Sequence, residues 1–534
     1  MSPFLNRLIS KRHQTITSAS LVLALAFALS ALLGVLRNRF LYAAFFKCCL
    51  LDLDAYNAAF RIPDLIFKLL VTGALSASFI PVFSSQLKKE GKAAHEFASV
   101  IINILLLGFF VVGLLAFIFV DPLSRLITNG FNPDQLALMT SLSRILIFGQ
   151  LFFLLSNFVT AILQVNQIFF IPALSPLIYN LVIILSIIFL APHWGFVGVA
   201  WGTVVGAVLH FLIQVPSLIK TGFSYHPTLS FKKGSVSEVF KLMVPRTLSL
   251  GLNEIESTVT LFFATGLASG TLSIFNLALQ IIFLPSRVFS TTVGQAALPA
   301  LSRKVAANKS NEFLSIVRKT IFQSLFLVLP ITAILLVNRL AIVRLLFGSR
   351  HFPWSATLST ARTLAFLLPI IPCQTVIQIL TRSFYALHDT VTPFKIAAIS
   401  LLFNIATAWY LVTFTQLAVF GLAISVSLGN IIQAVALGLM FYRRFPQHSL
   451  IRLAQKLFKL LFASLTSALV SWILIQLLDN YFSGTTKTWM VAFNLGASSL
   501  GGLVTFFALS KILAVSEAQM YYKKLGQIRN KFQK

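Results

Sequence analysis

The chain has 534 residues, of which 57% are hydrophobic and only 10% are charged, against roughly 25% charged residues in an average soluble domain. This composition excludes a soluble enzyme, because apolar stretches of about 20 residues recur along the chain and each can cross a hydrocarbon core roughly 30 Å thick. The 42 lysines and arginines outnumber the 14 acidic residues and give a net charge of +28, but no nucleic-acid-binding motif accompanies this excess, so we expect no nucleic-acid partner.

The distribution of the basic residues predicts the topology. Lysines and arginines cluster in every second predicted loop and are scarce in the loops between. This is the pattern of the positive-inside rule, so we expect both termini in the cytoplasm and an even number of spans, about 14. After Ala514 the sequence predicts a short basic surface helix. The predicted spans lie near residues 16–45, 56–85, 96–120, 138–162, 169–191, 196–217, 236–264, 271–300, 320–346, 357–383, 394–414, 418–442, 456–478 and 489–513.

The first twelve predicted spans contain an internal repeat. Residues Gly198–Gly206 are echoed by Gly421–Gly429, and other pairs of segments agree at the same offset of about 220 positions. We therefore predict an all-α polytopic membrane protein in which two parallel six-helix lobes surround a central cavity, followed by two appended helices. The predicted domains are residues 1–217 for the first lobe, 218–442 for the second lobe, and 443–534 for the last two helices and a basic cytoplasmic tail.

Charged residues inside spans are costly and usually face a cavity or a partner, so they are the functional signal in this sequence. Arg61, Asp64 and Lys68 follow one another at spacings of three and four, which places them on one helical face. A cationic face of this kind favours an anionic cargo, and arginine and lysine suit a diphosphate in particular. The predicted substrate-binding residues are Arg37, Arg39, Asp54, Arg61, Asp64, Lys68, Arg246 and Gln280.

Several of these residues also have simpler interpretations. Arg37 and Arg39 could extend to the outer membrane interface, and Lys68 could pair with Asp64 only to hold its helix. A second group combines acids and an amide and suits coupling to Na⁺ or H⁺. The candidates for this ion site are Asn253, Glu254, Glu256 and Asp389.

Other kinds of site find little support. The three cysteines, Cys48, Cys49 and Cys373, are too few for a metal cluster or a disulfide framework, and we expect them to fill apolar positions. The sequence contains no Gly-x-x-x-x-Gly-Lys-(Ser/Thr) loop, so we expect neither ATP as the energy source nor any cofactor. A membrane glycosyltransferase would need a catalytic acid pair, for which only Asp52 and Asp54 lie close together. We therefore expect no enzymatic activity.

The stretch from Ser30 to Ser84, with the motifs SALLGVLRNRF and FRIPDLIFKLLVTGALSASFIPVFS, resembles the start of the MurJ/MviN lipid II flippase family. Further similar segments begin at Met243 (MVPRTLSLGLN), Ala297 (ALPALSR) and Arg382 (RSFYALHDTVTPFKI). The resemblance covers most of residues 20–445 and extends to the multidrug/oligosaccharidyl-lipid/polysaccharide exporter superfamily, which agrees with the repeat.

The resemblance implies a monomeric, multi-pass protein of the bacterial cytoplasmic membrane that serves peptidoglycan synthesis and cell shape. Its cargo would be lipid II, an undecaprenyl-diphosphate-linked disaccharide-pentapeptide moved from the inner to the outer leaflet by alternating access among membrane lipids. The family's second arginine in the first span falls on Arg37, its acid in the second span on Asp54, and a later basic position on Lys68. Arg61 and Asp64 match the basic and amide positions of Phe-(Arg/Lys)-Leu-Pro-Asn.

The sequence departs from the family pattern at several charged positions. Family charges are replaced at Ala31, Asn38, Phe67, Thr72 and Gln280. Three alternatives therefore stay open: a flippase or exporter of another polyprenyl-diphosphate-linked glycan, a cation-coupled multidrug exporter of the same superfamily, and a non-transporting scaffold. Acidic residues should dominate the cavity of the second, whereas the first predicted lobe is biased toward basic residues.

Overall fold

The computed structural model describes residues 16–72, 79–89, 91–229, 234–286, 292–349, 352–446, 450–481 and 487–519. Across these ranges the regular elements are helices and none is a strand, which confirms the all-α prediction. Ten of the described helical segments are long and apolar enough to cross a membrane. The chain is thus a multi-pass helical protein, while the count of about 14 spans stays a prediction.

Four predicted spans are absent from those ten segments, namely 16–45, 56–85, 236–264 and 271–300. They are the first two spans of each predicted repeat, and they carry most of the charged candidates. The described parts of all four are helical. As membrane spans, these four stay predictions.

The chain divides into two compact units, Met1–Ser273 with Ser349–Phe352, and Ile274–Gly348 with Pro353–Lys534. The predicted domain boundaries at 217 and 442 stay predictions. The first unit contains α1 (Ile16–Phe45), α2 (Leu50–Ala59), α3 (Arg61–Phe67), the π-helix π1 (Lys68–Thr72), α4 (Ile80–Lys89), α5 (Gly91–Ile118), α6 (Val120–Ile127), α7 (Pro133–Val165), α8 (Phe170–Phe189), α9 (Ala191–Leu212), α10 (Val215–Lys220), α11 (Gly234–Thr265) and the first turn of α12 (Thr271–Ser286).

The second unit contains the remainder of α12 and eight further described helices. In it α14 packs against α19 and α20, and a buried polar contact joins the three: the Asn338 amide donates to Ser471 Oγ at 3.1 Å and accepts from Ser498 Oγ at 3.0 Å. The eight helices are α13 (Thr292–Ala306), α14 (Ser310–Phe347), α15 (Trp354–Leu367), α16 (Ile370–Ala386), α17 (Val391–Phe414), α18 (Val419–Arg444), α19 (Leu450–Tyr481) and α20 (Thr488–Ile512).

The glycines that revealed the repeat make equivalent helix contacts in the two units. In the first, α9 packs on α8, and a Cβ built at Gly206 would lie 2.9 Å from Cδ2 of Tyr179. In the second, α18 packs on α17, and a Cβ built at Gly429 would lie 3.0 Å from Cβ of Asn404. Small residues let helix backbones approach closely in a membrane, where water does not drive association. The shared packing supports the repeat inferred from the sequence.

The second predicted span, 56–85, is not one continuous α-helix. Its described residues form α2, α3, π1 and α4. A π-helix widens the turn by one residue and is frequently found at functional sites. Here it begins at Lys68, the last cation of the predicted charged face.

The cysteines differ from the expectation. Cys48 and Cys49, which lie between α1 and α2, form a disulfide between adjacent residues, and Cys373 is a free thiol. The apolar-filler interpretation is therefore wrong for the first two. The predicted surface helix after Ala514 lies largely outside the described residues, the last of which is residue 519.

Candidate functional site

A three-residue ion cluster lies in the first unit. The guanidinium of Arg61 contacts Glu254 Oε2 at 2.9 Å, and Lys68 Nζ lies 3.3 Å from Glu254 Oε1. The two cations come from α3 and π1, whereas the acid comes from α11, which packs against π1 and α5. The cluster thus joins residues that the sequence assigned to two separate roles, a substrate site and an ion site.

The Arg61 side chain is held from several directions. Its Nε donates to Thr258 Oγ1 at 2.9 Å, and its terminal nitrogen also donates to the backbone carbonyl of Glu254. Thr258 Oγ1 in turn donates to that carbonyl at 2.8 Å. The side chains of Arg61 and Glu254 are only 9% and 11% exposed. A charge this deeply buried is stable only when it is paired and hydrogen-bonded, and both conditions hold here.

Lys68 is the more exposed of the two cations in the cluster. Its side chain is 42% exposed, and its contacts to the two Glu254 oxygens are long, at 3.3 and 3.4 Å. Asp64 lies one turn earlier and accepts a hydrogen bond from Gln150 Nε2 of α7 at 3.0 Å. Asp64 therefore has a partner of its own, while Lys68 makes its ion pair with Glu254.

The arginines of the first span lie on α1. Arg37 Nε donates to the side chain of Asn38 at 3.1 Å, and its charge lies within electrostatic range of Tyr56 and Tyr179. Arg37 and Arg39 are both half-buried. Tyr56 and Tyr179 belong to α2 and α8, so Arg37 faces helices of its own unit.

Asp54 has a well-defined structural environment. Its side chain is buried and accepts from the backbone N–H of Gly270 at 2.6 Å, the backbone N–H of Ser273 at 2.9 Å and the Ser273 hydroxyl at 2.6 Å. These donors lie at the start of α12 and in the residue before it, where free N–H groups need acceptors and favour a negative charge. Asp54 therefore caps a helix that is distant in sequence. Its predicted part in substrate binding stays a prediction.

Three other candidates lie on α11 and α12, and the side chain of a fourth is not described. Asn253 is exposed and Glu256 is half-buried on α11, and Gln280 is half-buried on α12. The side chain of Arg246 lies outside the described residues.

Asp389 lies in the second unit, between α16 and α17. It accepts from the backbone N–H of Thr392 at 3.0 Å, from the Thr392 hydroxyl at 2.9 Å and from Arg444 at 2.8 Å. Burial opposes its ionisation, but these donors and the Arg444 charge outweigh burial and hold the pKa of the carboxyl below its ordinary value. Its contacts tie the start of α17 to the end of α18.

Two members of the site were missed by sequence reasoning. Thr258 and Gln150 carry no charge, so a search for charges in spans passes over them. Gln150 could have been noticed as an amide within the apolar run of α7, and Thr258 as the residue one turn beyond Glu254. Among the described residues no group of three or more His, Cys, Asp or Glu side chains could hold a metal ion.

Comparisons with known proteins agree on one family. The family described as "Lipid II flippase MurJ" matches residues 43–493. A probable lipid II flippase MurJ of Bdellovibrio bacteriovorus is 29% identical over 441 residues, covering 80% of this chain and 82% of that protein. The lipid II flippase MurJ of Burkholderia cenocepacia is 27% identical over 407 residues, covering 73% of this chain and 77% of that protein.

Two solved structures share the fold of this chain. A lipid II flippase MurJ in an inward closed conformation superposes with a TM-score of 0.73 at 23% identity, covering 92% of this chain and 98% of that one. An inward-facing multidrug resistance transporter of the MATE family gives a TM-score of 0.65 at 16% identity, covering 78% of this chain and 94% of that one.

Proposed function

Because the chain belongs to the lipid II flippase MurJ family, we propose that it carries lipid II across the bacterial cytoplasmic membrane. The cargo moves from the inner to the outer leaflet and supplies peptidoglycan synthesis. Transport of this kind makes and breaks no covalent bond, so it requires binding residues and not catalytic ones. The observation that carries the proposal is the convergence of Arg61 and Lys68 on the single carboxylate of Glu254.

The two cations have complementary chemistry toward a diphosphate. The planar guanidinium of Arg61 can donate two parallel hydrogen bonds to phosphate oxygens, and its side chain is already oriented by Thr258. The ammonium of Lys68 acts as a point charge and is 42% exposed. Together they provide one fixed and one adjustable contact to the head group, and the polyprenyl tail stays in the lipid.

The transport cycle follows from the repeated architecture. In transporters built from parallel repeats the substrate site opens alternately to the two sides of the membrane, and we expect the same cycle here. The membrane potential contributes about 2.3 kcal/mol for each charge moved through 100 mV, enough to bias a cycle that carries an anionic head group. Coupling to Na⁺ or H⁺ through Asn253, Glu256 or Asp389 is a further part of the proposal. Both termini lie in the cytoplasm, and the monomer is the working unit.

Two other cargoes compete with lipid II. Another polyprenyl-diphosphate-linked glycan presents the same head group, so only substrate competition separates it from lipid II. A cation-coupled multidrug exporter would need an unpaired buried acid to attract its cargo. Glu254, the buried acid on α11, is already neutralised by two cations, which disfavours that role.

Complementation tests the proposal. A bacterium depleted of its own lipid II flippase receives the wild-type chain, Arg61→Ala, or the control Arg125→Ala, which removes an exposed arginine that pairs with Asp121. We expect growth and outer-leaflet lipid II with the wild type and the control, and neither with Arg61→Ala at equal membrane abundance. Correct insertion of the wild type without outer-leaflet lipid II would overturn the proposal. Rescue by Arg61→Ala would remove Arg61 from the site.

A further inference from the structure

We propose that Glu254 is a resident counter-anion that occupies the diphosphate site of the empty transporter and that the cargo must displace. This inference rests on the proposed function and adds how the site is regulated. It assigns Glu254 a role in binding specificity, in place of the ion-coupling role suggested by the sequence.

The geometry shows direct competition for the same donors. The carboxylate of Glu254 contacts both cations, with Oε2 at 2.9 Å from Arg61 and with Oε1 and Oε2 at 3.3 and 3.4 Å from Lys68. A diphosphate bound to Arg61 and Lys68 would need the same guanidinium and ammonium hydrogens. Since a donor engaged by one anion cannot fully serve another, the cargo and Glu254 exclude each other.

The cluster is also arranged for exchange, because its two arms differ in strength. The contact to Arg61 is short and only 9% of that side chain is exposed, whereas Lys68 is 42% exposed and its contacts are longer. An incoming phosphate can therefore take Lys68 first. The second phosphate then replaces the carboxylate on Arg61.

Arg61 keeps its orientation during this exchange. Its Nε is bound to Thr258 Oγ1, and its terminal nitrogen also donates to the Glu254 backbone carbonyl. Both acceptors belong to α11 and neither is the displaced carboxylate. The guanidinium therefore stays preorganised for the cargo, and only the Glu254 side chain has to swing away.

The return of the Glu254 carboxylate also affects how fast the cargo is released. Once the diphosphate leaves, Glu254 returns and neutralises two cations that would otherwise be left partly buried without a partner. An internal anion thus weakens binding of the head group and speeds its release. Removal of the Glu254 charge should consequently raise the affinity for the head group and lower the rate of transport.

The test uses the purified full-length protein in lipid nanodiscs with undecaprenyl diphosphate as the probe. We expect Glu254→Gln to bind the probe about tenfold more tightly than the wild type, because a charged competitor is gone while the shape of the side chain is kept. Inorganic diphosphate should displace the probe from both proteins, because we expect the diphosphate head group of the probe to make the binding contacts. The matched control is Glu312→Gln, which removes an acid that also pairs with two lysines, Lys304 and Lys309, but at an exposed position. The control should bind like the wild type.

The outcomes separate this inference from the proposed function. Wild-type binding and rescue, with no gain of affinity in Glu254→Gln, would overturn the counter-anion role and leave the flippase proposal intact. Failure of the wild type both to bind and to rescue would overturn the flippase proposal itself. Should Glu254→Gln not fold, Glu254→Asp serves instead, because the shorter side chain cannot reach Arg61 and Lys68 together. We expect it to bind more tightly than the wild type, and equal or weaker binding would count against the inference.

Discussion

The carboxylate of Asp54 caps α12 through Ser273, accepting from both its backbone N–H and its hydroxyl. The two residues are 219 positions apart, and the Gly270 N–H completes the same cap. A carboxylate from α2 thus satisfies the first turn of a helix that follows much later in the chain. Tyr42 and Asn57 extend the network, each with a hydrogen bond to Ser273.

This cap predicts that Asp54 acts mainly on stability. Asp54→Ala leaves buried N–H groups without an acceptor and should lower the free energy of unfolding by about 1–3 kcal/mol. Asp54→Asn, which keeps one acceptor oxygen, should lose less. Thermal unfolding of the purified protein measures both, with Asp121→Ala at an exposed ion pair as the control. A normal unfolding temperature together with lost transport would place Asp54 in substrate binding instead.

The planar, two-pronged guanidinium of Arg61 predicts that a positive charge alone at this position does not support normal transport. Arg61→Lys keeps the positive charge but cannot contact Thr258 and Glu254 together, so we expect outer-leaflet lipid II to accumulate about tenfold more slowly or worse. Lys68→Arg should cost less, because Lys68 makes longer contacts and is more exposed. Lipid II accessible from outside the cell is the quantity to measure. Equal activity of Arg61→Lys and the wild type would show that no bidentate contact is needed.

Much of this site could be predicted from the sequence. The spacing of Arg61, Asp64 and Lys68 placed three charges on one helical face, and the cost of charge in a membrane marked them as functional. Two of the three do converge, on Glu254, but Asp64 is bound by Gln150. The partner of each charge depends on tertiary packing, which no local spacing encodes.

The fold shows the same division between local and long-range information. Periodicity and hydropathy predicted the helices, and the glycines of α9 and α18 predicted a repeat that their equivalent packing supports. The π-helix within the second span was not predicted, because a π-helix depends on contacts around it and leaves no clear sequence signal. The Asn338 contact with Ser471 and Ser498 was missed for a related reason, since single uncharged polar residues are common in spans.

The contact between α8 and α9 predicts a steric effect at Gly202. A Cβ at this position would overlap the side chain of Ser186, so Gly202→Ala must push the two helices apart. We expect a loss of about 1–3 kcal/mol in the free energy of unfolding. Gly108→Ala is the matched control, because Gly108 also lies within a helix but no atom lies within 4 Å of the added Cβ. Thermal unfolding should be unchanged or slightly raised in the control, and an equal loss in both variants would exclude the steric explanation.

The Asp389 interaction predicts a pH-dependent contribution to stability. Burial raises its pKa, but Thr392 and Arg444 together lower it by more, so the folded pKa lies below the ordinary value of 3.8. A depressed carboxyl pKa stabilises the fold above the ordinary pKa, and this contribution is lost as the pH falls through the folded pKa. The unfolding temperature of the wild type should therefore exceed that of Asp389→Asn at neutral pH, and the gap should close as the pH falls below 3.8. Arg444→Gln should reduce the gap at neutral pH, since Arg444 Nη1 lies 2.8 Å from the carboxylate. A gap that stays constant down to the most acidic pH at which the protein remains folded would mean that the Asp389 charge contributes nothing to stability.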